Sequence, residues 1–291
     1  MDLGLHLANF TWSGEPATFV DDLARTAKTA EDVGYTKLSV MDHVWQIGPV
    51  GPREHEMLEA YTALGFLAAV TERIELLTWV TAAVYREPGL LAKEVTTLDV
   101  LSKGRAWLGI GAAWNEEESN ALGFRFPPLG ERFERLEDTL RLVHGMWEGE
   151  RGSEEAFAGH HVRAGRLLNS PQALRKPHPP IMIGGGGERK TLRLVAQYAD
   201  ACNVFGRPES IHHKFEVIRE HCAAIGRDPE EIERTTLQGV KTGEPAQEII
   251  DKFGDLSDAG AQHVIFNVRD VADPASLERL GRDVIPALHA L

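Results

Sequence analysis

Pro180-Ile181-Met182-Ile183-Gly184-Gly185-Gly186-Gly187 is followed at once by Glu188-Arg189-Lys190-Thr191-Leu192-Arg193-Leu194-Val195. A short apolar run bounded by proline and glycine reads as a buried strand. Four glycines then make a turn, and apolar residues at helical spacing come after them. A strand that delivers a glycine turn to a helix start is a phosphate-binding device. Glycine lets the backbone take positive φ and approach an anion closely, and the helix start offers free N–H groups and the positive end of its dipole. A flexible strand-to-helix connection has the same composition, so the stretch alone leaves both readings open.

The same unit recurs along the chain. Toward the N-terminus, Leu3–Leu7 precedes a helical pattern over Ala17–Val33 that Gly34 can cap. Thr36–Met41 precedes Met57–Val70, Arg73–Val80 precedes Pro88–Leu101, and Arg105–Ile110 precedes Glu131–Trp147. Pro88 sits where a helix tolerates a missing N–H. The quoted unit contributes strand five, Pro180–Ile183, and its helix, Lys190–Tyr198. Toward the C-terminus, Asp200–Phe205 is followed by Ile211–Ile225, Arg234–Val240 by Ala246–Leu256, and Ala261–Val268 by Ala275–Leu288. Eight strands, each with a helix after it, predict an α/β fold of the (β/α)8 TIM-barrel type in preference to a doubly wound sheet. Between Glu148 and Pro180 the pattern loosens into an excursion between helix four and strand five. It holds a candidate hairpin over Ala156–Gly165 and four prolines from Pro171 to Pro180. The alternation resumes directly afterwards, so residues 1–291 read as a single domain.

Hydrophobic content of 43% against 26% charged is enough for a sizeable core. No run is long and apolar enough to cross a bilayer. Met1-Asp2-Leu3-Gly4-Leu5-His6 has neither a basic nor an apolar signal region, which makes a cytoplasmic protein the expectation. Cys202 and Cys222 stand in no metal or redox spacing. A formal net charge of −13 speaks against nucleic acid as a partner. The expected partner is a small-molecule substrate.

In such a barrel, ligand-binding residues belong at the C-terminal ends of strands. Strand two delivers Asp42, His43, Val44 and Trp45, and strand three delivers Thr81 to Tyr85. Strand four delivers Ala112, Ala113, Trp114 and Asn115. Strand five brings the glycines, and strand six brings Asn203, Phe205 and Gly206. This rim is rich in aromatic and small residues and poor in charge, as a flat ring with a phosphorylated tail requires. Asp42-His43 is its acid–imidazole pair, and histidine can give or take a proton beside a reacting carbon near neutral pH; a histidine satisfied by a structural hydrogen bond is the alternative. His160-His161 reads as solvated and His212-His213 as a helix surface pair. No metal-ligand spacing appears, and no serine or cysteine lies in a nucleophile elbow. Lys241 is the one lysine placed for Schiff-base chemistry, since Lys37 points to the opposite rim. Hydride transfer through a bound redox cofactor fits this inventory best.

Three stretches carry a family resemblance over nearly the whole chain: Ser39-Val40-Met41-Asp42-His43; Ala92 to Arg105; and Leu108-Gly109-Ile110-Gly111-Ala112-Ala113-Trp114-Asn115-Glu116-Glu117-Glu118. With Ile183 to Gly187 and Tyr198-Ala199-Asp200-Ala201-Cys202-Asn203, they resemble the luciferase-like monooxygenase superfamily, and within it the branch that uses the deazaflavin coenzyme F420. The resemblance implies a TIM barrel and an oxidoreductase that passes hydride between F420 and an organic substrate. It also implies that Asp42 and His43 lie beside the ring, with His43 as proton donor or acceptor. A non-prolyl cis peptide is implied at Trp79-Val80, under one face of the ring. Ala112, Ala113 and Asn115 would approach the ring or its side chain. Gly185, Gly186 and Gly187 would hold the phosphate, with Asn203, Phe205 and Gly206 near the tail, and Arg189, Lys190 and Arg207 are the expected cations for a polyanionic tail. Members usually associate as homodimers. Two departures count against glucose 6-phosphate as substrate. Ala113-Trp114-Asn115 stands where the sugar-phosphate dehydrogenases carry a glutamate, and Ile47 replaces their aromatic. Trp45, Tyr61, Tyr85 and Trp114 point to an apolar or aromatic substrate instead. FMN is the alternative cofactor, in a two-component monooxygenase or a non-catalytic flavin-binding relative.

Overall fold

Parallel strands arranged in a ring account for the chain's eight apolar runs. The computed structural model describes residues 1–12, 16–241, 243–269 and 271–291. Strands β1 (Asp2–Leu7), β2 (Lys37–Val40), β3 (Glu75–Thr78), β4 (Thr81–Ala82) and β5 (Leu108–Gly111) come first. After the two-residue hairpin strands β6 (Phe157–Ala158) and β7 (Arg163–Ala164) come β8 (Ile181–Gly184), β9 (Ala201–Val204), β10 (Glu233–Val240) and β11 (His263–Val268). The large sheet runs β3-β2-β1-β11-β10-β9-β8-β5-β4, and every pairing in it is parallel. A parallel bridge from Leu76 to Ala106 closes the ring between β3 and β5. The third barrel strand, expected to be continuous over Arg73–Val80, is broken. Its two pieces, β3 and β4, flank a cis peptide at Trp79-Val80. β3 and β4 share one barrel position, so the nine-stranded sheet is an eight-position barrel.

The helices are α1 (Phe19–Val33), α2 (Ala60–Val70), α3 (Pro88–Leu101), α4 (Glu116–Ala121), α5 (Leu129–Trp147), α6 (Thr191–Tyr198), α7 (Pro208–Ile225), α8 (Ala246–Asp258), α9 (Pro274–Asp283) and α10 (Ile285–His289). Gly34 ends α1 in the left-handed region at φ 105°, as its expected cap role requires. Two differences from the sequence expectation have local causes. The closing helix splits at Val284, because Pro286 has no N–H to continue the α9 ladder and sits instead in the first turn of α10, where none is needed. The short helix α4 has no counterpart in the sequence pattern, since six residues are too few to show a periodicity.

Period-two alternation divides the barrel's side chains between two cores. Leu76 and Leu108 face the helices, whereas Leu77, Trp79, Trp107, Met182, Ala201 and Ile265 form a separate cluster. At the N-terminal mouth Lys37 bonds Glu233 at 2.9 Å and His263 at 3.1 Å and lies over the Trp107 ring. Burial opposes the Glu233 charge, but His263 and Lys37 outweigh it and bring that carboxyl down to about 2. Lys37 therefore belongs to the rim opposite the chemistry, as expected. Gly109 on β5 is a position where only glycine fits, because an added Cβ would stand 2.0 Å from the Thr78 carbonyl oxygen.

Arg105 ties the seam between β3 and β5 to α2. Its buried guanidinium donates to the carbonyls of Ala68, Thr71, Ile74 and Ser102 and to the Thr71 hydroxyl, at 2.7–3.0 Å. Arg105→Ala leaves these acceptors buried and unpaired, and we expect a loss of about 3 kcal/mol in urea unfolding. A change within error would show that water replaces the guanidinium at no cost.

Candidate active site

β2 ends at Val40, and the chain passes through buried Met41 and Asp42 before presenting His43 at the C-terminal rim. The imidazole is held from across the barrel mouth by Glu118, on the first turn of α4. Asn115 caps that helix by accepting from the Glu118 N–H at 3.2 Å. The Glu118 side chain, fully buried, turns back toward β2. One oxygen accepts from His43 Nδ1 at 2.6 Å, Tyr85 Oη at 2.8 Å and Asn115 Nδ2 at 3.1 Å. The other accepts from the backbone N–H groups of Val44 at 2.7 Å and Trp45 at 3.3 Å. Burial works to raise this carboxyl, but the bonds from His43, Val44 and Tyr85 hold it below its ordinary value. An ionised Glu118 can only accept, so Nδ1 carries the proton and Nε2 is left for the cavity. Burial and the neighbouring Glu118 charge push the Tyr85 phenol up, which keeps it a donor.

Asp42 does not pair with His43. Its carboxylate is gripped on both oxygens by Arg86, at 2.6 and 3.0 Å. Arg86 also reaches Glu59 at 2.7 Å and Glu94 at 3.1 Å and lies over the Tyr61 ring. The acid–imidazole pair read from adjacent residues is thus corrected: the acid is Glu118, 75 positions away. A rim that reads as poor in charge conceals an ion cluster beneath its surface. Deeper still, His6 bonds Ser39 at 2.8 Å, and burial brings its imidazole down to about 4, so it stays neutral near pH 7.

A cavity of about 340 Å³ opens on this rim. At one end are Asp42, His43, Tyr85 and Trp114, with the Trp114 ring edge-on to His43 at 5.5 Å. The Trp79-Val80 cis bond, Thr81 and Ala82 line it along the strand ends, beside Gly111, Ala112, Ala113 and Asn115 of the neighbouring strand end. At the far end are Gly184, Gly185, Thr191, Asn203 and Phe205. A Cβ on Gly111 or Gly184 would press on the Val80 side chain, at 3.0 and 3.2 Å respectively. Gly185, at φ 124°, turns the chain toward α6. Two buried polar atoms on the lining have no hydrogen-bond partner among the described residues: the acceptor Asn203 Oδ1 and the donor Trp79 Nε1. The Val80 side chain and the small residues Gly111 to Ala113 and Gly184 leave room for a flat ring on this lining.

Of the residues singled out in the sequence, His43, Asp42, Trp79, Val80, Ala112, Ala113, Asn115, Gly185, Asn203, Phe205, Tyr85 and Trp114 meet at this cavity. Gly186, Gly187 and Gly206 lie beyond its lining. Tyr61 is behind the wall, its hydroxyl 2.9 Å from Thr81 Oγ1, and Trp45 faces Arg53. Lys241 is exposed and away from the cavity. Glu118 and Arg86 escaped the sequence reading. The spacing Asn115-x-x-Glu118, a cap with a glutamate at its third helical position, was the available signal for the first; Arg86 had none.

The family model for luciferase-like monooxygenases matches residues 1–285. An uncharacterised protein of Mycobacterium tuberculosis is 31% identical over 226 residues, 77% of this chain and 75% of that protein. An F420-dependent glucose-6-phosphate dehydrogenase of Nakamurella multipartita is 31% identical over 228 residues, 76% of this chain and 62% of the relative. Among solved structures, an F420-dependent secondary alcohol dehydrogenase in complex with an F420-acetone adduct superposes with a TM-score of 0.82. Its identity is 17%, with 99% of this chain and 98% of that chain covered. At that identity the likeness speaks for the fold.

Glu118→Gln puts an amide N–H₂ among five donors, and we expect a loss of about 2–3 kcal/mol at pH 7. Because the Glu118 carboxyl is lowered in the folded state, its contribution is complete above the ordinary carboxylate range and is lost as pH falls through the folded value. The stability gap between wild type and variant should therefore shrink on acidification. Nitrogen NMR should find His43 as one Nδ1–H tautomer in the wild type and as two in the variant. An unchanged tautomer in Glu118→Gln would remove Glu118 from this role.

Proposed function

The chain belongs to the luciferase-like monooxygenase family, and on that premise we propose that it is an oxidoreductase passing hydride between coenzyme F420 and a neutral, apolar or aromatic organic substrate. The observation that carries this reading is the pairing, in one cavity, of a flat slot over Trp79-Val80 with a histidine whose Nδ1 is spoken for by Glu118. The F420-dependent name of the Nakamurella relative supports the cofactor.

When bound, the deazaflavin supplies a ring carbon that donates or accepts hydride. His43 Nε2 then takes or returns the proton that accompanies that hydride on the substrate. Glu118 holds the imidazole in the required tautomer and balances the charge when Nε2 is protonated. Asp42 stays outside the proton transfer, since Arg86 engages both its oxygens; it fixes the backbone that presents His43. Gly185 and the start of α6 are suited to the phosphate.

Among the described residues, the cavity lining includes no lysine or arginine. That is a poor setting for a sugar phosphate and a good one for an uncharged substrate among Trp114, Leu129, Phe133 and Phe205. Fluorescence titration with F420 and absorbance titration with FMN test the cofactor, with saturable F420 binding expected. Binding of FMN alone would overturn the proposal. His43→Ala should lower turnover of a neutral substrate by about 10²–10⁴-fold while F420 affinity is nearly kept, and glucose 6-phosphate should not be turned over.

A further inference from the structure

Ala113 holds a backbone conformation that suits glycine better than alanine. Its φ of 67° lies in the left-handed region, where a Cβ crowds the carbonyl that follows it. Lys103 is the other non-glycine residue with positive φ among the described residues, and it does not line the cavity. Ala113 does line it. It forms the corner between the end of β5 at Gly111 and Asn115, the cap of α4. A strained conformation persists only where its surroundings enforce it.

Arg132 supplies that enforcement. From the first turn of α5, its Nη1 donates to the Ala113 carbonyl at 2.7 Å. The guanidinium lies over the Phe126 ring at 4.2 Å, and its Nε is buried with no hydrogen-bond partner among the described residues. In a chain with 44 acidic residues, Arg132 makes no ion pair among the described residues. It is committed instead to one backbone carbonyl. Leu129 and Phe133, on either side of it in α5, line the cavity, whereas Arg132 does not. It grips the corner from behind the wall.

Trp114 is the next residue after that corner. Its side chain is 59% exposed, and His43 is the one ring it meets among the described residues, edge-on at 5.5 Å. With so little packing of its own, the indole goes where the backbone of Ala113 sends it. Glu118, four residues further on, is fully buried and has its own five donors. It needs no help from the corner.

We propose that Arg132 is a positioning residue: by holding Ala113 in the left-handed conformation, it keeps the Trp114 ring against His43 as a fixed aromatic wall at the substrate end of the cavity. Calling that end the substrate end rests on the function proposed above; the placement of the ring does not. Without Arg132, Ala113 relaxes to negative φ and Trp114 leaves His43, while Glu118 stays.

Fluorine NMR of protein labelled with 5-fluorotryptophan tests this without any cofactor, so its result is separate from that of the F420 titration. The Trp114 signal is assigned by its absence from Trp114→Phe. The wild type should give one Trp114 signal. Arg132→Met should shift that signal or split it in two, whereas Arg132→Lys, which keeps a donor, should hold it near its wild-type position. Adding Ala113→Gly to Arg132→Met should return it most of the way, because glycine takes positive φ without being held. Nitrogen NMR of Arg132→Met should still find His43 as the Nδ1–H tautomer. If Arg132→Met does not fold, Ala113→Gly alone carries the test: relief of the strain should raise the melting temperature by about 2 °C. An unmoved Trp114 signal in Arg132→Met, no recovery with Ala113→Gly, loss of the His43 tautomer, or a lower melting temperature in Ala113→Gly would each overturn the proposal.

Discussion

A buried carboxylate with five donors around it organises the reactive side of this barrel. Glu118 gathers a histidine from the end of β2, a tyrosine from beyond β4, two backbone N–H groups and its own helix cap. Leaving such a group unpaired inside a protein costs several kcal/mol, so each donor is constrained to stay where it is. The loops after three different strands are thereby locked to one another. What results chemically is a single imidazole tautomer, with Nδ1 bonded to Glu118 and Nε2 not engaged by it. Deeper in the same wall, Arg86 has the corresponding role: it neutralises Asp42 and lets the cavity surface remain uncharged.

The rim divides its work. On the proposed reading, proton handling belongs to the His43 end and anion holding to the Gly185 end. The cis bond at Trp79-Val80 and the small residues of Gly111 to Ala113 lie between them and shape a slot. Glycine serves two distinct purposes here. Gly185 needs positive φ to turn toward α6, whereas Gly109, Gly111 and Gly184 are glycine because neighbouring atoms occupy the space of a Cβ. On that proposal the cofactor carries the bond-making, and the protein's own chemistry is geometry and one proton.

Much of this was legible in the sequence, and the features that were not share a cause. Strand–helix alternation is a local property, so the barrel, the cap at Gly34 and the helix start at Pro88 could be read residue by residue. Rim residues followed from the fold, because the ends of strands can be counted. Partnerships across the barrel could not be read in this way. His43 meets Glu118 and Asp42 meets Arg86 only after β2, β4 and β5 are brought together, and adjacency in sequence pointed to the wrong acid. The cis peptide at Trp79-Val80 was expected from the resemblance alone, and the break it makes between β3 and β4 was not expected, because no pattern in Thr78 to Thr81 signals it. The split at Val284 was readable from Pro286, but the apolar periodicity running through it hid the boundary.

On this mechanism His43 Nε2, oriented by Glu118, faces the reacting carbon of a ring seated against Trp79-Val80. A crystal structure of the protein with F420 bound measures this most directly. The ring is expected against Val80 and Ala112, with Nε2 directed at the side of the ring where hydride is exchanged and a substrate's width of space left between them. A ring seated elsewhere, or a His43 swung away from Glu118 with Nε2 out of the cavity, would contradict it.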